Sequence, residues 1–298
     1  MRNRYRALMM AMAALVAAVF VSDILNAGQV APPPGPQGAG AAGARGGARG
    51  NAPPAPPAGP MARTPDGKPD MSGYWVGNFF TGMQQIQSKN ILVDPPDSRI
   101  PYQPEFAAKA KDTATNRMYE EPELHCFLSG VPNQMYRQFG FQIVLNPEMM
   151  LMSWDFMNGY RFVHLDGRPH LPAAIKLFQG DSIGRWEGDT LVVDTTNQND
   201  RTWLDAVGNI HSDVIHVVER FTPVDANTIT YEAVIEDPKA YTRPWKVVES
   251  FRRNTQPGYE QMEFACIEGN RDKEHYPEGA GGKAKELPPE QRAVPTIK

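Results

Sequence analysis

The chain has 298 residues, of which 41% are hydrophobic and 21% charged, with a formal net charge of −4 and two cysteines. This is enough apolar material for one sizeable core, and the lack of any basic stripe argues against a nucleic-acid partner. Two cysteines without a local C-x-x-C exclude a disulfide-dense scaffold and a cysteine-rich metal site.

The N-terminus reads as targeting sequence. Arg2, Arg4 and Arg6 precede the apolar run 7–21, which has the length of a signal-peptide core and is short for a membrane span. Residues 1–27 are therefore assigned as a signal peptide, with an uncleaved anchor as the alternative. After cleavage no stable membrane insertion is expected, and the protein is placed in the periplasm or outside the cell. Residues 28–68 are dominated by Ala, Gly, Pro and Arg, a composition that cannot bury a core, and read as a disordered linker. In an exported chain Cys126 and Cys266 most simply pair, with two free thiols as the alternative.

A single β domain is expected over 69–268. The run PDMSGYWVGNF turns at Ser72-Gly73 into a strand with Tyr74, Trp75 and Phe79. Prolines 95, 96, 101, 104, 122 and 132 exclude central strands from the following segment, leaving a Pro-rich wrap with one short helix, Gln103 to Lys111. Alternation then begins: Phe141, Ile143 and Leu145; Met150, Met152, Trp154 and Phe156; Tyr160, Phe162 and His164, joined by turns at Asn146-Pro147 and Asn158-Gly159. The stretch 180–195, GDSIGRWEGDTLVVDT, is a hairpin turning at Glu187-Gly188-Asp189. Four further strands carry Ile215 to Phe221, Ile229 to Ile235, Trp245 to Phe251, and Met262, Phe264 and Cys266. About nine or ten strands must hide their edges. The fold class is all-β, an antiparallel meander closing into a barrel, with a β-sandwich as the alternative. Residues 269–298 are polar and Pro-rich and read as a disordered tail.

The order GRWEGDTLVVDT, Thr202-Trp203-Leu204-Asp205, Gly208, His211-Ser212-Asp213, Glu219-Arg220-Phe221, Asp237-Pro238 and Pro244-Trp245 resembles that of a family of exported, uncharacterised bacterial proteins. The resemblance covers roughly Pro69 to Glu268 and implies fold and export, with no activity attached. A looser similarity is to lipocalin-like barrels, which enclose one small ligand.

Candidate site residues fall on two long connections, Asp166 to Asp181 and Thr195 to Asp213, since long loops in compact domains carry function. They flank the hairpin and are expected to open at one rim, making a mouth lined by His164, His170 and His211. His211, Asp213, His164 and Asp205 are the candidates for acid–base or metal-assisted catalysis; a divalent metal is weighed without being assigned. Capping of the turn by His211-Ser212-Asp213 is the structural alternative. Arg168, His170, Trp203, Arg185 and Trp154 are the candidate ligand contacts, with Arg168 equally able to fasten its loop to Asp166 and Trp203 to pack as satellite core. Of Glu219 and Arg220 only one can face inward: in a ligand cavity it is a polar fixture, in a filled interior a buried ion pair. The leading function is a barrel binding a small amphipathic or apolar molecule. The alternatives are a small exported lyase, isomerase or hydrolase, and a structural module of the cell envelope. Oligomeric state is not legible.

Overall fold

The computed structural model describes residues 58–77, 91–136, 140–264 and 266, which lie in the compact unit starting at Pro56. The expected signal peptide, most of the expected linker, Phe79 and the expected tail from 269 fall outside the described residues.

The described residues form ten strands: β1 (Gly73–Val76), β2 (Leu92–Asp94), β3 (Phe141–Asn146), β4 (Met149–Trp154), β5 (Tyr160–His164), β6 (Asp181–Glu187), β7 (Thr190–Thr196), β8 (His216–Asp225), β9 (Thr228–Glu236) and β10 (Trp245–Arg253). Nine of them follow one another around a ring, β1-β3-β4-β5-β6-β7-β8-β9-β10, which closes by β1 pairing with β10; β2 adds to the same edge of β10 further up. The expected all-β barrel with one short helix is thus the architecture. Closure removes the sheet edges that an open meander would expose.

Two features of the ring differ from a plain meander. Neighbours are antiparallel except β5 and β6, which run parallel and share only Val163↔Ser182 and His164↔Ile183. The connection 165–180 has to carry the chain back along the outside of the wall before β6 can start, and a parallel pair requires such a crossover. The β1–β10 closure is equally brief, Trp75↔Arg253 and Val76↔Arg252. The wall is therefore two well-laddered sheets, β1-β3-β4-β5 and β6-β7-β8-β9-β10, joined along two short seams.

Inside, every second residue points to a shared core that includes Trp75, Phe141, Met150, Met152, Trp154, Leu191, Val193, Phe221, Tyr231, Trp245 and Phe251, all fully buried. Strand β5 turns its aromatic face away from the core. Its aromatic residues point outward, Tyr160 59% and Phe162 43% exposed, while Arg161 and Val163 point in. The reason is Glu219, which is buried on the facing wall and holds the Arg161 guanidinium there.

The Pro-rich wrap covers the upper rim, defined by the β4–β5 turn. Its helix, α1 (Pro104–Asn116), starts at the expected proline but runs five residues past Lys111. With the loop 197–215 it builds a satellite cluster of Ala110, Trp203 and Ile210, against which Tyr102, Phe106 and Met118 pack. The lower rim is covered by residues 58–72. Composition assigns this segment to the linker up to 68, yet Met61 is buried, Arg63 forms an ion pair with Asp189 at the hairpin turn (2.6 Å), and Gly59 O accepts from Ala226 N. The folded unit therefore begins before Pro69.

Met262, Phe264 and Cys266 do not form the expected last strand. Residues 254–264 run as irregular chain over the β3–β4 side, where Tyr259 donates to Asp155 (2.9 Å) and Gln261 to Ser153 (3.1 Å). The disulfide between Cys126 and Cys266 is present and ties this segment to the wrap.

Candidate functional site

The barrel interior holds a charged network among its aromatic walls. Arg161 of β5 is 2% exposed and Glu219 of β8 is 0% exposed. The guanidinium donates to both carboxylate oxygens, with Nη1–Oε1 at 2.9 Å and a shorter Nη2–Oε2 contact. It also donates from Nε to Ser182 Oγ of β6 (2.9 Å) and from Nη2 to Thr195 Oγ1 of β7 (2.7 Å). Glu219 further accepts from Tyr231 of β9 (3.0 Å) and Thr195 (3.2 Å). Five consecutive strands each contribute one side chain. Burial, with the Glu219 charge beside it, holds the Tyr231 phenol well above its ordinary pKa, so it remains a donor. Fork-to-carboxylate geometry of this kind is strong and directional.

A second cluster lies on the outer face. Asp194 Oδ1 of β7 is 3.1 Å from the Nε2 atoms of both His170 and His216. His170 Nδ1 is 2.8 Å from Asp181, and His216 Nδ1 is 3.7 Å from Glu236. Both imidazoles are about one-third exposed. Among the described residues no group of three or more His, Cys, Asp or Glu is arranged to hold a metal ion.

The residues singled out from sequence do not converge on one mouth. The two long connections do meet, Leu177 pairing with Asn197–Asn199 and Asn197 Nδ2 donating to the carbonyls of Leu171, Pro172 and Ile175. Their histidines, however, are dispersed: His164 is on the outer face of β5 and His170 on the outer cluster, whereas His211 is buried in the upper-rim loop. His211 Nδ1 donates to Ser212 O (2.8 Å), and in the neutral ring Nε2 accepts from Thr202 Oγ1 (2.8 Å). Desolvation pulls its pKa below the ordinary value.

Around His211, Asp237 accepts from Ser212 N and Oγ (2.6 and 2.8 Å). Asp213 is held ionised by Lys239 (2.8 Å), which lowers its pKa. Asp205 closes its own loop through Val207 N and Asn209. Arg168 pairs with Asp166, holding that carboxyl at about 2, and Arg185 pairs with Glu187 on the exposed face. Trp203 packs in the satellite cluster. Of the candidate ligand contacts, Trp154 alone projects into the barrel, with its Nε1 buried and, among the described residues, unpartnered.

Sequence reasoning passed over Arg161, Ser182, Thr195 and Asp194. The available signal was Arg161, a charged residue whose β5 parity matches Val163 rather than the surface aromatics.

No family model and no curated protein matches the chain. Among solved structures it is similar to a point mutant of the fluorescent protein UnaG, at 11% identity over 62% of this chain and 97% of that one, with a TM-score of 0.29. No helix among the described residues is long and apolar enough to cross a membrane.

Proposed function

We propose that this is an exported β-barrel protein that takes up a small amphipathic or apolar molecule inside the barrel. The observation that carries this reading is the Arg161–Glu219 network at the centre of an aromatic-walled, closed barrel. A barrel needing only a core does as well or better with apolar residues there, because desolvating an ion pair costs several kcal/mol per ion. Binding sites, by contrast, are largely apolar with a few fixed polar groups. The disulfide, the signal-peptide reading and the resemblance to an exported bacterial family support export.

Native mass spectrometry of protein expressed with its leader tests the reading. A co-purified organic molecule at one per chain, lost in Arg161→Met, is the expected result. An empty chain that also fails to take up any of a panel of apolar dyes overturns it.

The outer cluster favours a second reading, acid–base chemistry at a solvent-facing site. Two imidazoles on one carboxylate oxygen form a proton-sharing unit that the structural fastening of the 165–180 crossover needs only in part. A hydrolytic activity found in the wild-type protein and lost in both His170→Gln and His216→Gln, with unfolding midpoints unchanged, would put this reading first.

A further inference from the structure

The interior also shows what kind of molecule it suits, an inference that rests on the binding reading above. One layer above Arg161, toward the upper rim, glycine stands where the wall would otherwise carry an inward side chain. This is Gly159, opposite Trp154, whose N–H donates to Gly159 O (2.8 Å). The buried side chain of Gln134, from the wrap, occupies the space, and a Cβ on Gly159 would sit 3.4 Å from Gln134 Nε2. Beside it lies buried Gln179, at the upper end of β6, whose Nε2 donates to Gln134 Oε1 at 3.5 Å.

Among the described residues, three polar atoms of this layer are buried without a partner: Gln134 Nε2, Gln179 Oε1 and Trp154 Nε1. An unsatisfied buried donor or acceptor costs about 1–3 kcal/mol, so a layer that served only as core would not keep three of them. Interchange of amide oxygen and nitrogen does not remove the shortfall. Two amides joined by a single hydrogen bond always leave one N–H group and one oxygen over, whichever way each is turned.

Charge narrows the class further. Arg161 and Glu219 neutralise one another directly below this layer, so a bound anion or cation would remain uncompensated in a dry interior. The adjoining wall is aromatic: Phe141 lies 5.7 Å from Trp154 and 5.0 Å from Phe251, and Phe251 is 5.4 Å from Tyr231, centroid to centroid. Rings pack well against such a wall.

We infer that the barrel binds an uncharged, ring-bearing molecule carrying a primary or secondary amide. The amide oxygen accepts from Gln134 Nε2 and Trp154 Nε1, and the amide N–H donates to Gln179 Oε1. The three atoms thereby gain the partners that the fold leaves them without.

The test uses three shape-matched probes on the full mature chain: naphthamide, the naphthoate anion and methyl naphthoate. Affinity is read by calorimetry and location by the indole N–H resonances, with Trp154→Phe assigning its own. Naphthamide is expected to bind about tenfold or more tightly than either competitor, a difference of one or two good hydrogen bonds, and to move the Trp154 resonance. Gln134→Met and Gln179→Met should bring amide affinity down to that of the ester. Equal binding of amide and ester overturns the amide assignment and leaves interior binding standing. Amide binding that does not move Trp154 overturns the location. Failure of all three probes, with every indole resonance unmoved, overturns both this inference and the interior-binding reading. The probe series on the unaltered protein gives these answers even where a glutamine variant does not fold.

Discussion

Arg161 and Glu219 show how much a pair of residues can depend on its partner. Arg161→Met would leave the Glu219 carboxylate buried without its counter-charge, and a loss of about 3–5 kcal/mol in unfolding free energy is expected from urea titration. The double variant Arg161→Met, Glu219→Leu should recover most of that loss while abolishing ligand retention, which separates the stability role from the binding one. His211 gives a pH signature. Its imidazole is neutral in the fold, with its pKa pulled below the ordinary 6.5 by burial. The unfolded chain binds that proton first, so the stabilisation is fully present above the unfolded pKa and declines below it. One proton sets the upper limit of this decline at about 1.4 kcal/mol per pH unit. Urea midpoints measured from about pH 7.5 down to about pH 5 should show this decline in the wild type and a flatter one in His211→Gln. At this scale the sequence was least readable. Tyr160, Phe162 and His164 look like the buried face of a strand on hydrophobicity alone, and only the distant Glu219 turns Arg161 inward instead.

Among the elements, the hairpin of β6 and β7 was the most legible, because Gly188-Asp189 fits a two-residue turn and the flanking residues alternate. The strands β3 to β5 and β8 to β10 followed from the same period of two. Strand direction did not: alternation is the same in parallel and antiparallel pairs, so the β5–β6 crossover left no mark in the pattern. Strand β2 is three residues long, too short to show a period, and helix α1 outran its expected end because residues 112–116, DTATN, hold no helix-breaking Gly or Pro. The junction of crossover and hairpin is tightly built. Gly180 has a φ of +68°, and a Cβ there would lie 2.5 Å from the carbonyl oxygen of Thr196. Gly180→Ala is therefore expected to cost about 2 kcal/mol or more, seen as a lower thermal midpoint, since both the left-handed backbone and the close approach are violated.

For the molecule as a whole, barrel and sandwich were both open from sequence, and the reason is visible in the wall. Two laddered sheets face each other as in a sandwich, and the two seams make them a ring. An arginine crosses each seam: Arg161 reaches from β5 to β6, β7 and β8, and Arg253 of β10 donates to Ser72 O beside β1 while stacking 4.3 Å over the Trp75 ring. The disulfide fastens the covering segments rather than the ring, since neither Cys126 nor Cys266 lies in a strand. Replacing both with serine should lower unfolding free energy by about 2–4 kcal/mol with the far-ultraviolet circular dichroism unchanged.

The brevity of the seams also makes the wall mechanically anisotropic. In the backbone ladder, tension applied between β5 and β6 meets two residue pairs, with the Arg161 network behind them, whereas tension between β8 and β9 meets nine pairs. In a single-molecule pulling experiment the same protein should therefore rupture at low force when handles are placed on opposite sides of a seam, and at much higher force when they load the β8–β9 ladder in shear. Thermal opening follows the same weak direction. Amides beside Val163 and Ser182 should exchange with deuterium well before those of β8 and β9, and the barrel should part first like a hinged case, along its length, with both halves still intact.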